Sequence, residues 1–88
     1  MNYDVVLELI KQVLTDVVPG ADPALLSPNE NFRISLEMDS LDFLNFIEAL
    51  SERTGLPLPE TDYPLLNTLN GCADYVASHT DRLDQPDF

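Results

Sequence analysis

Between Tyr3 and Val17 the apolar residues recur at helical spacing, and this pattern limits the fold before anything else does. Tyr3, Val6, Leu7, Ile10, Val13, Leu14 and Val17 share one face, with Asp4, Glu8, Lys11, Gln12 and Asp16 between them. Asn2 can cap the start, and Pro19-Gly20 ends the helix. A helix with one apolar face must bury it against something. The only comparable partners in the chain are further helical stretches, because no period-two strand pattern, internal repeat or low-complexity segment is present.

A second helix is predicted from Asp39 or Ser40 to about Thr54, with Gly55 as its stop. Either residue can serve as N-cap. If Ser40 presents its hydroxyl outward, Asp39 is the better candidate for the cap, since a capping oxygen is occupied by backbone N–H groups. On the helical wheel Phe43, Leu44, Phe46, Ile47 and Leu50 cluster, while Asn45, Glu48 and Glu52 lie opposite. Leu41 falls among the polar set, beside Glu48.

Val18 to Met38 has no sustained periodicity and is punctuated by Pro19, Pro23 and Pro28. So long a connection in a small domain must be tied down by its own side chains or serve a function. Leu25, Leu26, Phe32, Ile34 and Leu36 are the candidate anchors, and Asp22-Pro23 reads as the cap and first residue of a single turn. Leu56-Pro57-Leu58-Pro59 cannot be helical in its middle. A helix of one or two turns is expected after Asp62, through Leu65 and Leu66. Thr68 then caps a final short helix with Leu69, Cys72, Ala73 and Val76 on one face. The expected architecture is all-α, a small four-helix bundle with a short third helix. Residues 1–80 form a single domain and residues 81–88 a polar tail.

Charge excludes several function classes. Four Lys and Arg residues stand against sixteen Asp and Glu, a formal net charge of -12. Such a surface repels phosphate backbones and anionic lipid, so neither nucleic acid nor a membrane is an expected partner. The expected partners are proteins with basic patches. No run approaches spanning length, and the first residues lack a charged region followed by a cleavable apolar core, which points to a soluble, monomeric cytoplasmic protein.

No catalytic constellation is present: there is no acid–base pair with a partner nucleophile, no phosphate-binding glycine loop and no metal-ligand cluster. Cys72 is alone and reads as a buried small residue. His79 reads as a charge near a helix C-terminus rather than a ligand. Asp81, Asp84 and Asp87 lack the spacing and glycine of a calcium loop. Ser40 is the residue that stands out. It sits where a polar loop meets an amphipathic helix, in Leu36-Glu37-Met38-Asp39-Ser40-Leu41-Asp42, with no His, Lys or Cys nearby in sequence to activate it. A hydroxyl so placed is suited to being modified rather than to attacking a substrate.

These residues resemble the acyl carrier proteins, from the first helix to about Ser78. Asp39-Ser40-Leu41 matches the family's Asp-Ser-Leu attachment motif, Phe32 its loop aromatic, and Leu36 its leucine shortly before the motif. Leu56-Pro57-Leu58-Pro59 resembles the connection after the second helix, and Thr68-Leu69 the opening of the last. The resemblance implies a carrier without catalytic residues. A phosphopantetheinyl transferase would esterify Ser40 with 4′-phosphopantetheine from coenzyme A, and the arm's thiol would present acyl groups to enzymes of lipid, polyketide or related biosynthesis. Asp39 would flank the cofactor, and Leu41, Asp42, Glu48 and Glu52 would form the face that partner enzymes read. Leu44, Ile47, Leu50, Leu58, Leu69 and Val76 are candidate walls for an acyl chain, or simply core.

The chain departs from the family at several places. Glu37 stands where a glycine is usual and Ser35 where an acid is. Asn45 and Ser51 replace frequent acids, and Glu48 an apolar residue. These changes redraw the docking face and suit dedicated partners as readily as the general fatty-acid machinery. The alternative reading is an unmodified acidic helical adaptor for basic proteins.

Overall fold

A computed structural model describes residues 2–84, with side chains to Thr80. Four α-helices and two 3₁₀ segments follow in order. These are α1 (Tyr3–Val17), a 3₁₀ turn (Pro23–Leu25), α2 (Phe32–Ser35), α3 (Ser40–Thr54), a 3₁₀ helix (Glu60–Leu65) and α4 (Leu69–Asp84). The all-α bundle expected from the sequence is present, with the 3₁₀ helix as its short third member.

α1 packs against both α3 and α4. Its start is capped by the Asn2 side chain, which accepts from the Val5 amide at 2.9 Å. Val6, Ile10, Val13 and Leu14 are fully buried, as the spacing predicts. They join Phe32, Phe46, Leu50, Leu66, Leu69, Cys72 and Val76 in one continuous core. Fully burying each large side chain of this kind contributes about 1.5–3 kcal/mol against the entropy of ordering the chain. One ion pair, Arg53 with Asp16, joins α3 to α1 at the surface.

Three expectations need correction. The connection from Val18 to Met38 contains a helical turn, α2, that its residues do not announce. Asn31 caps it, its Oδ1 accepting from the Arg33 and Ile34 amides at 3.0 and 3.3 Å. The turn points Phe32 into the core and Ile34 out, leaving Ile34 73% exposed. Leu25, at the end of the 3₁₀ turn, is 80% exposed while Pro23 is buried. Phe32, Pro23 and Met38 therefore anchor the connection, with Leu26 and Leu36 half-buried against the core.

Hydrogen bonds do the rest of the anchoring. The Phe32 amide donates to the Asn67 carbonyl at 2.9 Å, and the Asn70 amide to the Pro28 carbonyl at 2.8 Å. The final helix is the third correction. It is not short, since its backbone is helical from Leu69 through Asp84. The polar tail expected from Asp81 thus begins within it; the Asp81 and Asp84 side chains and Asp87 lie outside the described residues. His79 consequently sits inside a helix, stacked on Tyr75 at 4.0 Å, rather than at a C-terminus.

Candidate functional site

The site is built by the way α2 ends and α3 begins. At the end of α2 the Met38 amide donates to the Arg33 carbonyl at 2.8 Å and the Glu37 amide to the Ile34 carbonyl at 3.1 Å. These two bonds close a helix by the left-handed route, in which the residue after the cap takes a positive φ. That residue is Glu37, at φ 53°. An L side chain is disfavoured there by roughly 1–2 kcal/mol, and only glycine adopts it freely. The chain then turns inward at the buried Met38 and enters α3.

Asp39 is the N-cap of α3. Its Oδ1 accepts from the Asp42 amide at 2.8 Å, and Asp42 Oδ2 accepts from the Asp39 amide at 3.2 Å. This reciprocal box satisfies two of the amides that a helix start leaves without partners. It also settles the two alternatives left by the sequence. Ser40 is the first helical residue, and its hydroxyl is exposed and free of capping duty.

The Ser40 hydroxyl has a neighbour that sequence reading missed. Arg33 Nη2 donates to Ser40 Oγ at 3.2 Å, and the guanidinium carbon lies 5.0 Å from the centre of the Phe43 ring. Seven positions separate the two residues along the chain, and only the chain reversal at Glu37 brings them together. Phe43 in turn meets Tyr63 of the 3₁₀ helix edge-to-face at 5.7 Å. Arg33, Ser40, Phe43, Leu44, Glu60 and Tyr63 line an open groove of about 360 Å³ beside the hydroxyl.

Leu41 is 64% exposed, as the helical wheel predicts. Glu48 and Glu52 are exposed on the same helix. Asp42 is half-buried and its carboxylate is engaged by the Asp39 amide, so this acid has a structural duty as well. Of the candidate acyl-chain walls, Ile47, Leu50, Leu58, Leu69 and Val76 are buried in the core. Leu44, expected on the apolar arc, is 39% exposed at the groove. Cys72 is fully buried, its thiol donating to the Leu66 carbonyl at 3.1 Å, and burial pushes its pKa up, which keeps it unreactive. Among the described residues no group of three or more His, Cys, Asp or Glu is placed to hold a metal ion. No helix among them is long and apolar enough to cross a membrane.

Residues 4–76 match the family described as "Phosphopantetheine attachment site". The acyl carrier protein of Rubrobacter xylanophilus is 32% identical over 79 residues, covering 90% of this chain and 96% of the relative. That of Thermosynechococcus vestitus is 32% identical over 76 residues, covering 86% and 93%. A mitochondrial relative, acyl carrier protein 2 of Arabidopsis thaliana, is 33% identical over 58 residues, or 66% of this chain and 46% of that protein.

Proposed function

The chain belongs to the phosphopantetheine-attachment family, in which the relatives it matches along most of their length are acyl carrier proteins, and from that premise we propose Ser40 as the point of attachment. The protein carries acyl groups on a covalent 4′-phosphopantetheine arm. Bound, the arm supplies a terminal thiol that holds the acyl group as a thioester. The single observation that carries the assignment to Ser40 is the capping arrangement. Asp39 takes the N-cap, so the Ser40 hydroxyl at the first helical position is exposed and, among the described residues, accepts from half-buried Arg33.

Attachment makes a bond from Ser40 Oγ to phosphorus and breaks the pyrophosphate of coenzyme A. The hydroxyl proton is lost and the adenosine bisphosphate leaves. The hydroxyl's partner Arg33 is a donor only, and the neighbouring Asp39 and Asp42 carboxylates are engaged in capping each other's amides rather than bonded to Ser40. The transferase therefore supplies the chemistry, and this chain supplies a presented hydroxyl and a docking surface. Exposed Leu41, Glu48 and Glu52, with Asp42 beside them, form that surface in this reading, and the net charge of -12 steers it toward basic partner faces. Dedicated biosynthetic enzymes with basic patches, a monomeric state and a cytoplasmic location complete the proposal.

The test is the intact mass of wild type and Ser40→Ala after incubation with coenzyme A and a broad-specificity transferase. Wild type is expected to gain one phosphopantetheine and the variant none. A wild-type mass unchanged with several active transferases would favour the unmodified adaptor instead.

A further inference from the structure

We propose that Arg33 is a positioning residue for the prosthetic group. In this proposal its guanidinium holds the phosphodiester at Ser40 and directs the arm along the groove lined by Phe43, Leu44, Glu60 and Tyr63. The proposal rests on Ser40 being the attachment point, and three observations lead to it.

The first is placement. Arg33 Nη2 already donates to the oxygen that becomes the ester oxygen, at 3.2 Å. Phosphorus lies one bond beyond that atom and the remaining phosphate oxygens two, within reach of the same planar donor fork, which suits phosphate geometry better than a point charge does. Arg33 is also held at both ends. Its carbonyl accepts from the Met38 amide at 2.8 Å, and its head lies over the Phe43 ring. A cation fixed in this way loses little further freedom on gripping an anion.

The second is charge. A phosphodiester adds a negative charge to a surface that already holds Asp39 and Asp42 at the helix start and Glu60 in the groove. Lys11 pairs with Glu8 at 3.9 Å and Arg53 with Asp16. Among the described residues Arg33 is in no ion pair of this kind, and its guanidinium donates to the Ser40 hydroxyl instead. The third is direction. The ring under Arg33 forms the groove wall, so a phosphate gripped there starts the arm along Phe43 and Tyr63 instead of outward from Leu41.

The experiment compares apo and holo protein, with conversion verified by intact mass. Wild type is followed by the nitrogen and proton resonances of the Arg33 side chain and by the phosphorus resonance of the arm. Arg33→Gln and Arg33→Lys are treated in the same way, and all three are melted in both states. On conversion the Arg33 side-chain resonances of wild type are expected to shift and sharpen. The phosphorus resonance should move between wild type and Arg33→Gln. The melting temperature should fall by several degrees on conversion in Arg33→Gln but not in wild type, with Arg33→Lys partly restored. Arg33 resonances identical in apo and holo wild type would overturn the proposal while leaving Ser40 as the attachment point, and this readout needs no variant to fold. A label that persists in Ser40→Ala would overturn it together with the reading on which it rests.

Discussion

Asp39 and Asp42 cap each other's backbone at the start of α3: each carboxylate accepts the other residue's amide, at 2.8 and 3.2 Å. Asp39 therefore does two things. It holds the helix start, and it puts negative charge beside Ser40. Asn caps as well as Asp, whereas Ala at an N-cap costs about 1 kcal/mol. Asp39→Asn should thus melt close to wild type and report on charge alone, while Asp39→Ala should melt several degrees lower. Thermal melts of both variants, run beside transfer of the arm, separate the two roles.

Truncating Leu41 should cost almost nothing in stability, because the side chain is 64% exposed on α3. Surface changes of this kind usually stay within about 0.5 kcal/mol. If Leu41 is a docking contact, Leu41→Ala loses about 1 kcal/mol of partner binding, and transfer of the arm slows about five-fold at low carrier concentration. A fall in melting temperature typical of a core deletion would contradict the exposed placement.

Glu37→Gly should stabilise the fold. The left-handed φ of 53° costs an L residue roughly 1–2 kcal/mol, of which glycine's greater unfolded-state entropy offsets about 0.5–1. The substitution also removes a negative charge from the approach to Ser40. A melting temperature a few degrees higher is expected, and an unchanged or lower one would show that the strain is relieved elsewhere.

The opposite outcome is expected at Gly71, in the first turn of α4. Its amide donates to Thr68 Oγ1 at 2.9 Å, and a Cβ at this position would lie 2.3 Å from the Leu65 carbonyl oxygen. Replacing glycine by alanine within a helix ordinarily gains about 1 kcal/mol. Here the carbonyl belongs to the backbone of the 3₁₀ helix and cannot step aside cheaply, so Gly71→Ala should instead destabilise by about 1–3 kcal/mol. Denaturant midpoints of the two proteins decide the sign.

Glu30 makes stability depend on acid. Hydrogen bonds from the Ser35 hydroxyl at 2.6 Å and the Ser27 amide at 2.5 Å hold its carboxyl below the ordinary value of 4.5. A folded-state value below the unfolded one means that the stabilisation is fully present above pH 4.5 and is lost as pH falls through the lowered value. Glu30→Gln should therefore lie below wild type in stability at neutral pH. The gap should narrow as the pH falls below 4.5. Urea melts across that range check it, and a constant gap would show that the carboxylate charge plays no part.

Much of this protein was legible as sequence because its signals are local. Helical spacing placed α1 and α3, Asn2 and Gly55 marked two of their ends, and the wheel separated exposed Leu41 from buried Phe43, Phe46, Ile47 and Leu50. Each of these follows from residues within a turn or two of one another, where the period of 3.6 residues governs which side chains share a face. Asp39-Ser40-Leu41 named the candidate serine on the same local grounds.

Tertiary structure decided the rest. A single turn such as α2 is too short to carry a periodicity, and it exists because Phe32 packs on Phe46 and its amide bonds to Asn67, contacts far apart along the chain. That turn decides which of Phe32 and Ile34 is buried. By ending at Glu37 with a left-handed residue, it also folds Arg33 back onto Ser40 and Phe43. No pattern in a run of loop residues encodes such a meeting, since it depends on a backbone reversal held by hydrogen bonds between groups that every residue carries.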